Sequence, residues 1–368
     1  MSQNTNINHL LSPTFFIRQN KYLGNPIVCD IRTTSLHSGI TGFSYGLKKR
    51  KILKAAIGEY SERLASIKSF NTDPQEPQNP KVKAFSLYNS DIISVPAKSI
   101  FLNFDLPIFR NVNIDELKNS FSDSCGYAAH WFSKDAIENG YLEFIERQSL
   151  IYLWLSRLVP KSISLNDLPT SKLYNRINVL SQTLEKFKLF NISIVEDVYV
   201  VCAIGFHDNA FSIACNASFD IEKSIEGCVN EFMMIFESSK NQSIGNKIKS
   251  DNVFMQNFYN TSIDSFKKEY DFLLNDTTEK FEISLYKNHY NKFPLFNSVK
   301  NFVEKFNVNV YATFVDNPTN QRMKVVKVFS PDCFPHMGTE GFDPNVYKIC
   351  ESLPSNDFPN KFKTILFA

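Results

Sequence analysis

The chain has 368 residues, 43% of them hydrophobic and 21% charged, with a formal net charge of +2. That length accommodates one large domain or two ordinary ones, and the charge balance gives no bulk field that would favour nucleic acid or an anionic membrane as a partner. Seven scattered cysteines (29, 125, 202, 215, 228, 333 and 350), odd in number and without a Cys-x-x-Cys pair, point to reduced thiols in a cytoplasm and away from a disulfide framework or a zinc site. The first twenty residues lack the apolar core of a signal peptide, and apolar runs such as Val198–Phe206 are too short to span a bilayer.

In chain order, residues 1–25 read as a polar arm with an apolar patch at 10–17, and a strand is expected near Ile27–Ile31. The stretch 38–46, Ser-Gly-Ile-Thr-Gly-Phe-Ser-Tyr-Gly, is turn-rich and matches neither a P-loop nor a dinucleotide fingerprint. A helix is predicted from about Leu47 to Ser69, with Leu53, Ala56, Ile57, Tyr60, Leu64 and Ile67 on one apolar stripe. A Pro-rich loop at 71–81 and strands at 83–88 and 98–104 come next. Residues 123–130, Asp-Ser-Cys-Gly-Tyr-Ala-Ala-His, read as a turn into a second helix near Lys134–Leu158, with Ser133 as its N-cap. That helix is apolar nearly all round, the pattern of a buried central element.

Beyond it, the pattern predicts an amphipathic helix over 172–190, two strands within 192–206 turning at Glu196-Asp197, a strand over 210–219 and a helix from Asp220 to about Ser238. The weaker periodicity of 240–300 reads as a peripheral insertion, Val308–Asp316 and Arg322–Ser330 as a hairpin, and the last twenty residues as loop.

One phrase occurs twice. Glu59-Tyr60-Ser61-Glu62-Arg63 and Glu143-Phe144-Ile145-Glu146-Arg147 are both Glu-aromatic-x-Glu-Arg, each inside a helical pattern. Spacings of three and four put both carboxylates and the guanidinium of each copy on one helix face. Two readings compete: a pair of solvated charge rows, or two walls of a site where divalent cations and a polyphosphate sit between carboxylates that would otherwise repel. Glu143, Glu146 and Arg147 stand among apolar neighbours, and buried charges need partners, which favours the second. His130 and His336 each follow a turn and Cys125 precedes the second helix, but a lone His or Cys in such a place is more often structural than catalytic.

The order of these elements resembles the YcaO family of ATP-dependent peptide-backbone-modifying enzymes. The matching stretches are Ala55–Arg63, Asp123-Ser124-Cys125-Gly126, Ala136–Leu150 and Ser330–Met337. Within the family, the Glu-Arg-Gln-Ser-Leu run and the late Ser-Pro-Asp segment are most similar to the YcaO subunit of microcin-B-type azole synthetases. The resemblance implies an α+β YcaO fold, mixed sheets packed with helices around an ATP pocket lacking a P-loop. It implies a single YcaO-type domain over 1–368, with the insertion at about 240–300. It implies ATP and Mg²⁺ as cofactors, with Glu59, Glu62, Glu143 and Glu146 as metal ligands. Ser44, Arg63, Asp123, Ser124, Arg147 and Glu231 would join those four glutamates in holding the nucleotide. Glu146, Arg147 and the terminal carboxylate of Ala368 would act in catalysis.

The chain departs from the family pattern at several places. Met234 stands where Gln is usual, Ala55 and Ala136 where many members have Ser, Cys125 where most carry Asn, and the tail ends Leu366-Phe367-Ala368 without prolines. The implied activity is ATP-dependent cyclodehydration of Cys, Ser or Thr in a ribosomally made precursor peptide, in the cytoplasm. The implied partners are that peptide, a leader-binding subunit and a flavin-dependent dehydrogenase, with no nucleic acid and no membrane. The alternatives are backbone thioamidation or amidine formation, motivated by the tail, and a catalytically impaired scaffold subunit, motivated by Met234.

Overall fold

A computed structural model describes residues 13–19, 27–33, 41–46, 48–66, 81–101, 123–164, 168, 171–242, 253–275, 279–283, 293–317 and 322–367. Its elements in chain order are β1 (Pro13–Gln19), β2 (Ile27–Thr33), β3 (Thr41–Gly46), α1 (Lys49–Ser66), β4 (Lys81–Ser86), β5 (Ile92–Pro96), β6 (Tyr127–His130) and α2 (Ser133–Ser156). There follow β7 (Lys161–Ile163), α3 (Ser171–Thr183), β8 (Lys186–Asn191), β9 (Tyr199–His207), β10 (Ala210–Ser218) and α4 (Ile221–Gln242). The remainder are α5 (Val253–Asn260), α6 (Ile263–Glu269), α7 (Asp271–Leu274), β11 (Lys280–Phe281), α8 (Pro294–Phe306), β12 (Tyr311–Val315) and β13 (Lys324–Phe329). The chain divides into two units, Met1–Phe144 with Val310–Ser330, and Ile145–Asn309 with Pro331–Ala368. Helix α2 passes through the division between Phe144 and Ile145.

The first unit holds two antiparallel sheets, ordered β1-β2-β3 and β5-β4-β12-β13-β6. Helix α1 lies on the smaller sheet through Ile52, Ala56, Tyr60 and Leu64, a spacing of four that keeps one face turned to Cys29 and Ile31 of β2. At about 1.5–3 kcal/mol for each large side chain buried, that stripe fixes the helix on the sheet. Gly42 in β3 lets the two backbones meet, since a Cβ there would lie 2.2 Å from the Ala56 carbonyl oxygen. The stretch expected as turns is thus strand from Thr41 to Gly46, because α1 supplies the apolar face that its glycines cannot.

In the larger sheet β6 pairs with β13, Tyr127 opposite Lys327 and His130 opposite Lys324. The sequence reads 123–130 as a turn only; a four-residue strand is too short to show its period. Residues 98–101 are a 3₁₀ turn and its exit, with the preceding strand at Ile92–Pro96; the remainder of the strand expected there, 102–104, lies outside the described residues. So do the Pro-rich loop to residue 80, Ile67 and the end of the first predicted helix.

The second unit is built on one sheet, β10-β9-β8-β7-β11. Val200 to Ile204 of β9 are all fully buried, the run of a strand covered on both faces. Helix α4 packs on β9 and β10 through Ile225, Cys228, Val229 and Phe232. Two expectations are corrected here. The helix predicted to run to residue 190 ends at Thr183, and Lys186–Asn191 is a strand whose Phe187, Leu189 and Phe190 happen to continue the helical spacing. The two strands expected in 192–206 are one, β9. Within the stretch read as a peripheral insertion, Phe258, Phe266, Tyr270 and Leu273 are buried, and Tyr270 meets Trp154 with ring centroids 5.4 Å apart. Those residues therefore belong to this unit's core.

The last residues have no regular structure beyond 3₁₀ turns, yet they are anchored. Asn360 donates through Nδ2 to the Trp154 carbonyl, the Trp154 indole N–H donates to the Lys363 carbonyl, and Tyr270 Oη donates to the Leu366 carbonyl. No helix among the described residues is long and apolar enough to cross a membrane.

Candidate functional site

A cavity of about 400 Å³ in the first unit gathers part of the doubled motif. Helix α1 contributes Lys54, Ala55, Gly58, Glu59 and Glu62; α2 contributes Asn139 and Glu143; β6 and the residue after it contribute Tyr127 to Trp131; Met323 completes the lining. Lys54, Gly58 and Glu62 follow at intervals of four, and Asn139 and Glu143 likewise, so each helix presents one stripe to the cavity. Gly58 lies where α1 meets β6: a Cβ there would make an ordinary contact with the Ala129 carbonyl oxygen, at 3.8 Å.

Glu59 is held at both oxygens. Oε2 accepts the Phe43 N–H at 2.6 Å, and Oε1 pairs with Arg63 at 2.5 Å across one helical turn. The Glu62 charge acts on Tyr127. Burial first, and then the Glu62 and Asp123 charges, push the Tyr127 phenol well above its usual range, and its hydroxyl donates to the Ile100 carbonyl at 2.8 Å.

Asp123 and Ser124 are not among the lining residues. The Asp123 carboxylate accepts the Cys125 N–H at 3.0 Å, and this turn is clasped by Lys327, only 1% exposed on its side chain. Lys327 Nζ donates to the Asp123 and Cys125 carbonyls at 2.9 and 2.6 Å, reaches the Asp123 carboxylate at 3.3 Å, and lies 4.8 Å from the centre of the Tyr127 ring. Gly126 takes φ +73°, and a Cβ there would meet the Val328 carbonyl oxygen at 2.1 Å, so only glycine fits. Ser44 lies on β3 opposite Cys29, half-buried and apart from the lining.

The other residues expected at the site belong to the second unit. Glu146 is 6% exposed; its Oε2 accepts the Ala217 N–H at 3.0 Å, and Oε1 lies 3.6 Å from Arg147. Burial pushes the Glu146 carboxyl up, opposed by the Arg147 charge and the Ala217 N–H. The Arg147 guanidinium stacks over Phe367, 5.1 Å from the ring centre. Glu231 on α4 and Glu146 both act on the buried Cys228 thiol, which burial first, then the Cys202 thiol and these carboxylates, hold well above its usual range. Met234 is half-buried on the same helix. Ala368 lies outside the described residues.

Of the doubled motif, then, Glu59, Glu62 and Glu143 share one cavity, with Arg63 bound to Glu59, while Glu146 and Arg147 are placed in the second unit. Lys54 and Asn139 were missed by the sequence reading, although each stands at helical spacing from a glutamate it did find. Trp131 and Met323 carry no such signal, since they flank the paired strands β6 and β13 and are brought in by that pairing. His130 lines the cavity. His336 is buried against Phe342, its Nδ1 accepting the Gly338 N–H.

The donor set of the cavity suits a hard cation with phosphates. Three carboxylates and an amide supply oxygen, the ligand Mg²⁺ prefers, and Lys54 supplies a cation for phosphate charge.

A model of the family described as YcaO cyclodehydratase, ATP- and Mg²⁺-binding, matches residues 45–333. Among solved structures, the chain is similar to the E. coli microcin synthetase McbBCD complex, at 20% identity and TM-score 0.72, covering 98% of each chain. It is also similar to YcaO from Methanopyrus kandleri bound with AMPPCP and Mg²⁺, at 18% identity and TM-score 0.67, covering 90% of this chain and 88% of that one. A heterocyclase in complex with substrate and cofactor is similar at 14% identity and TM-score 0.64, covering 88% of this chain and 50% of that one. At these identities the structures establish the α+β fold alone. No curated protein matches. The family match covers most of the chain, and with the fold it establishes that this protein belongs to the YcaO family, whose members bind ATP and Mg²⁺.

Proposed function

We propose that this chain is the ATP- and Mg²⁺-dependent cyclodehydratase subunit of a complex that converts Cys, Ser or Thr of a ribosomally made precursor peptide to azolines. The observation that carries it is the convergence of Glu59, Glu62 and Glu143, from two helices, on one cavity with Lys54. When bound there, ATP with Mg²⁺ supplies a phosphate leaving group for the amide oxygen, which is otherwise a poor one. The substrate thiol or hydroxyl loses its proton as it adds to the preceding carbonyl carbon, and that C–S or C–O bond closes the ring; the former carbonyl oxygen would take a phosphoryl group from ATP, leaving ADP, and depart as phosphate while the amide nitrogen loses its proton and the C=N bond forms.

The chain's own residues position and neutralise. Glu59, Glu62 and Glu143 would hold the metal. Arg63 and the Phe43 N–H hold Glu59 in place, so its orientation is set before the nucleotide arrives. Lys54 would face the phosphates, and the Asn139 amide would donate to them or to the nucleoside. The resemblance adds Glu146, Arg147, Glu231, Ser44, Asp123 and Ser124 to the nucleotide site. It also assigns Glu146, Arg147 and Ala368 to catalysis, within a single YcaO-type domain. The synthetase neighbour is a multi-subunit complex, which supports partner subunits here; the resemblance makes them a leader-binding subunit and a flavin-dependent dehydrogenase. A cytoplasmic reaction accords with seven free cysteines.

Backbone thioamidation or amidine formation, which would use the same ATP activation of the amide oxygen, is the second reading. Incubating the complex with Mg²⁺, ATP and a Cys/Ser/Gly-rich peptide encoded beside the gene separates the two. Loss of water at a Cys, Ser or Thr of the peptide supports cyclisation, whereas exchange of oxygen for sulfur supports thioamidation. No peptide-dependent phosphate release would leave only a scaffold role.

A further inference from the structure

Glu62 stands at one end of the α1 stripe that lines the cavity and Lys54 at the other, so the two ends differ in chemistry. The Glu62 charge acts on Tyr127 and Gly58 faces Ala129, so β6 runs opposite to α1. Continuing that course, Trp131 falls toward Lys54, about 12 Å along α1 from Glu62 at a rise of about 1.5 Å per residue. Trp131 lines the cavity and is 45% exposed, whereas the other two rings of the lining are engaged elsewhere: Tyr127 is buried, and His130 Nδ1 lies 3.1 Å from the Asp135 carboxylate. The indole's neighbours pin it. His130 is paired in β6 opposite Lys324, the Phe132 N–H donates to His130 Nδ1 at 3.3 Å, and Ser133 begins α2. A half-exposed indole on so constrained a backbone is a preorganised flat surface. The α1 stripe of the lining runs about 12 Å from Glu62 to Lys54, which leaves room for a nucleobase at the end away from Glu62.

We infer that Trp131 is the stacking platform for the nucleobase, so that it distinguishes a nucleoside triphosphate from a bare polyphosphate while remaining indifferent to which purine is bound. This rests on the cavity being the ATP site. The physical reason for the indifference is that stacking uses the π-face every base possesses, while hydrogen-bond edges carry base identity. Phe132, although 68% exposed, is not part of the lining and has no place in this assignment.

The test uses the full chain and its two tryptophans, Trp131 and the buried Trp154. Mg²⁺ with ATP, with GTP and with inorganic tripolyphosphate are titrated separately, and both intrinsic fluorescence and binding heat are recorded. ATP and GTP should quench emission, tripolyphosphate should not, and Trp131→Phe should abolish the quench, because only Trp154 remains. Trp131→Ala should weaken ATP and GTP roughly ten-fold, Trp131→Phe by roughly three-fold or less, and neither should change tripolyphosphate binding. Equal weakening of tripolyphosphate, or unchanged ATP binding in Trp131→Ala, would overturn the assignment. Glu62→Gln keeps the two claims apart. It should weaken all three ligands. If it weakens none while Trp131→Ala still weakens ATP, the metal–phosphate reading fails and the base platform stands.

Discussion

Lys327→Met tests whether the turn beneath the cavity is held by a single buried cation. The substitution keeps the length of the side chain but removes its charge and three hydrogens. Two backbone carbonyls, Asp123 and Cys125, and the Asp123 carboxylate then lose their donor, and the Tyr127 ring loses its cation. Removing one partner of a buried ion pair costs about 3–5 kcal/mol, chiefly because the remaining charge stays buried. The Asp123 side chain is 17% exposed and can draw some water, so the lower end applies. At about 2–4 °C per kcal/mol for a larger domain, the melting temperature should fall by about 6–12 °C. Differential scanning fluorimetry reads this directly. A fall of only one or two degrees would refute the reasoning, for it would mean that solvent reaches the clasp as easily as lysine does.

Further expectations concern charge and reactivity. Glu146 has a folded pKa above its ordinary value, so ionised Glu146 costs stability at neutral pH, and the cost is relieved as pH falls through that raised pKa. Without ligands, Glu146→Gln should therefore be more stable than the parent at neutral pH. The gain should shrink on acidification, and a melting temperature below the parent's at neutral pH would contradict this. All seven cysteines are free and buried, and burial, with the Asp343 charge, pushes the Cys350 thiol up to about 12. Thiol titration with an aromatic disulfide should thus run at least about 100-fold slower on native protein than in urea, where all seven react. A fast native thiol would show that the burial is wrong.

Much of the site was legible because helices advertise their faces. The doubled Glu-x-x-Glu-Arg stood at the edge of one apolar stripe and inside another, and burial of Glu146 among apolar neighbours follows from the pattern of α2. Sheet-borne contributions were not legible. Lys327 sits in Lys-Val-Val-Lys-Val-Phe, where a lysine reads as the solvent face, and only its register opposite Tyr127 turns it inward. Strand β6 has four residues, too few for a period, yet it brings His130 and Trp131 to the cavity. Helix α3 and strand β8 were fused because two residues separate them and the apolar positions stay in phase. Glycine had two meanings that composition cannot separate: Gly126 turns the chain, whereas Gly42 lies in a strand and gives room to a helix.

Carboxylates lining the cavity, on this reading, drive azoline formation. The most direct measurement follows peptide mass and phosphate together for the parent complex and for Glu143→Gln. The account predicts one water lost from the peptide for each phosphate released by the parent, and at least about 100-fold slower turnover in the variant with its melting temperature preserved. Unchanged turnover in Glu143→Gln, or phosphate release without loss of water, would contradict it.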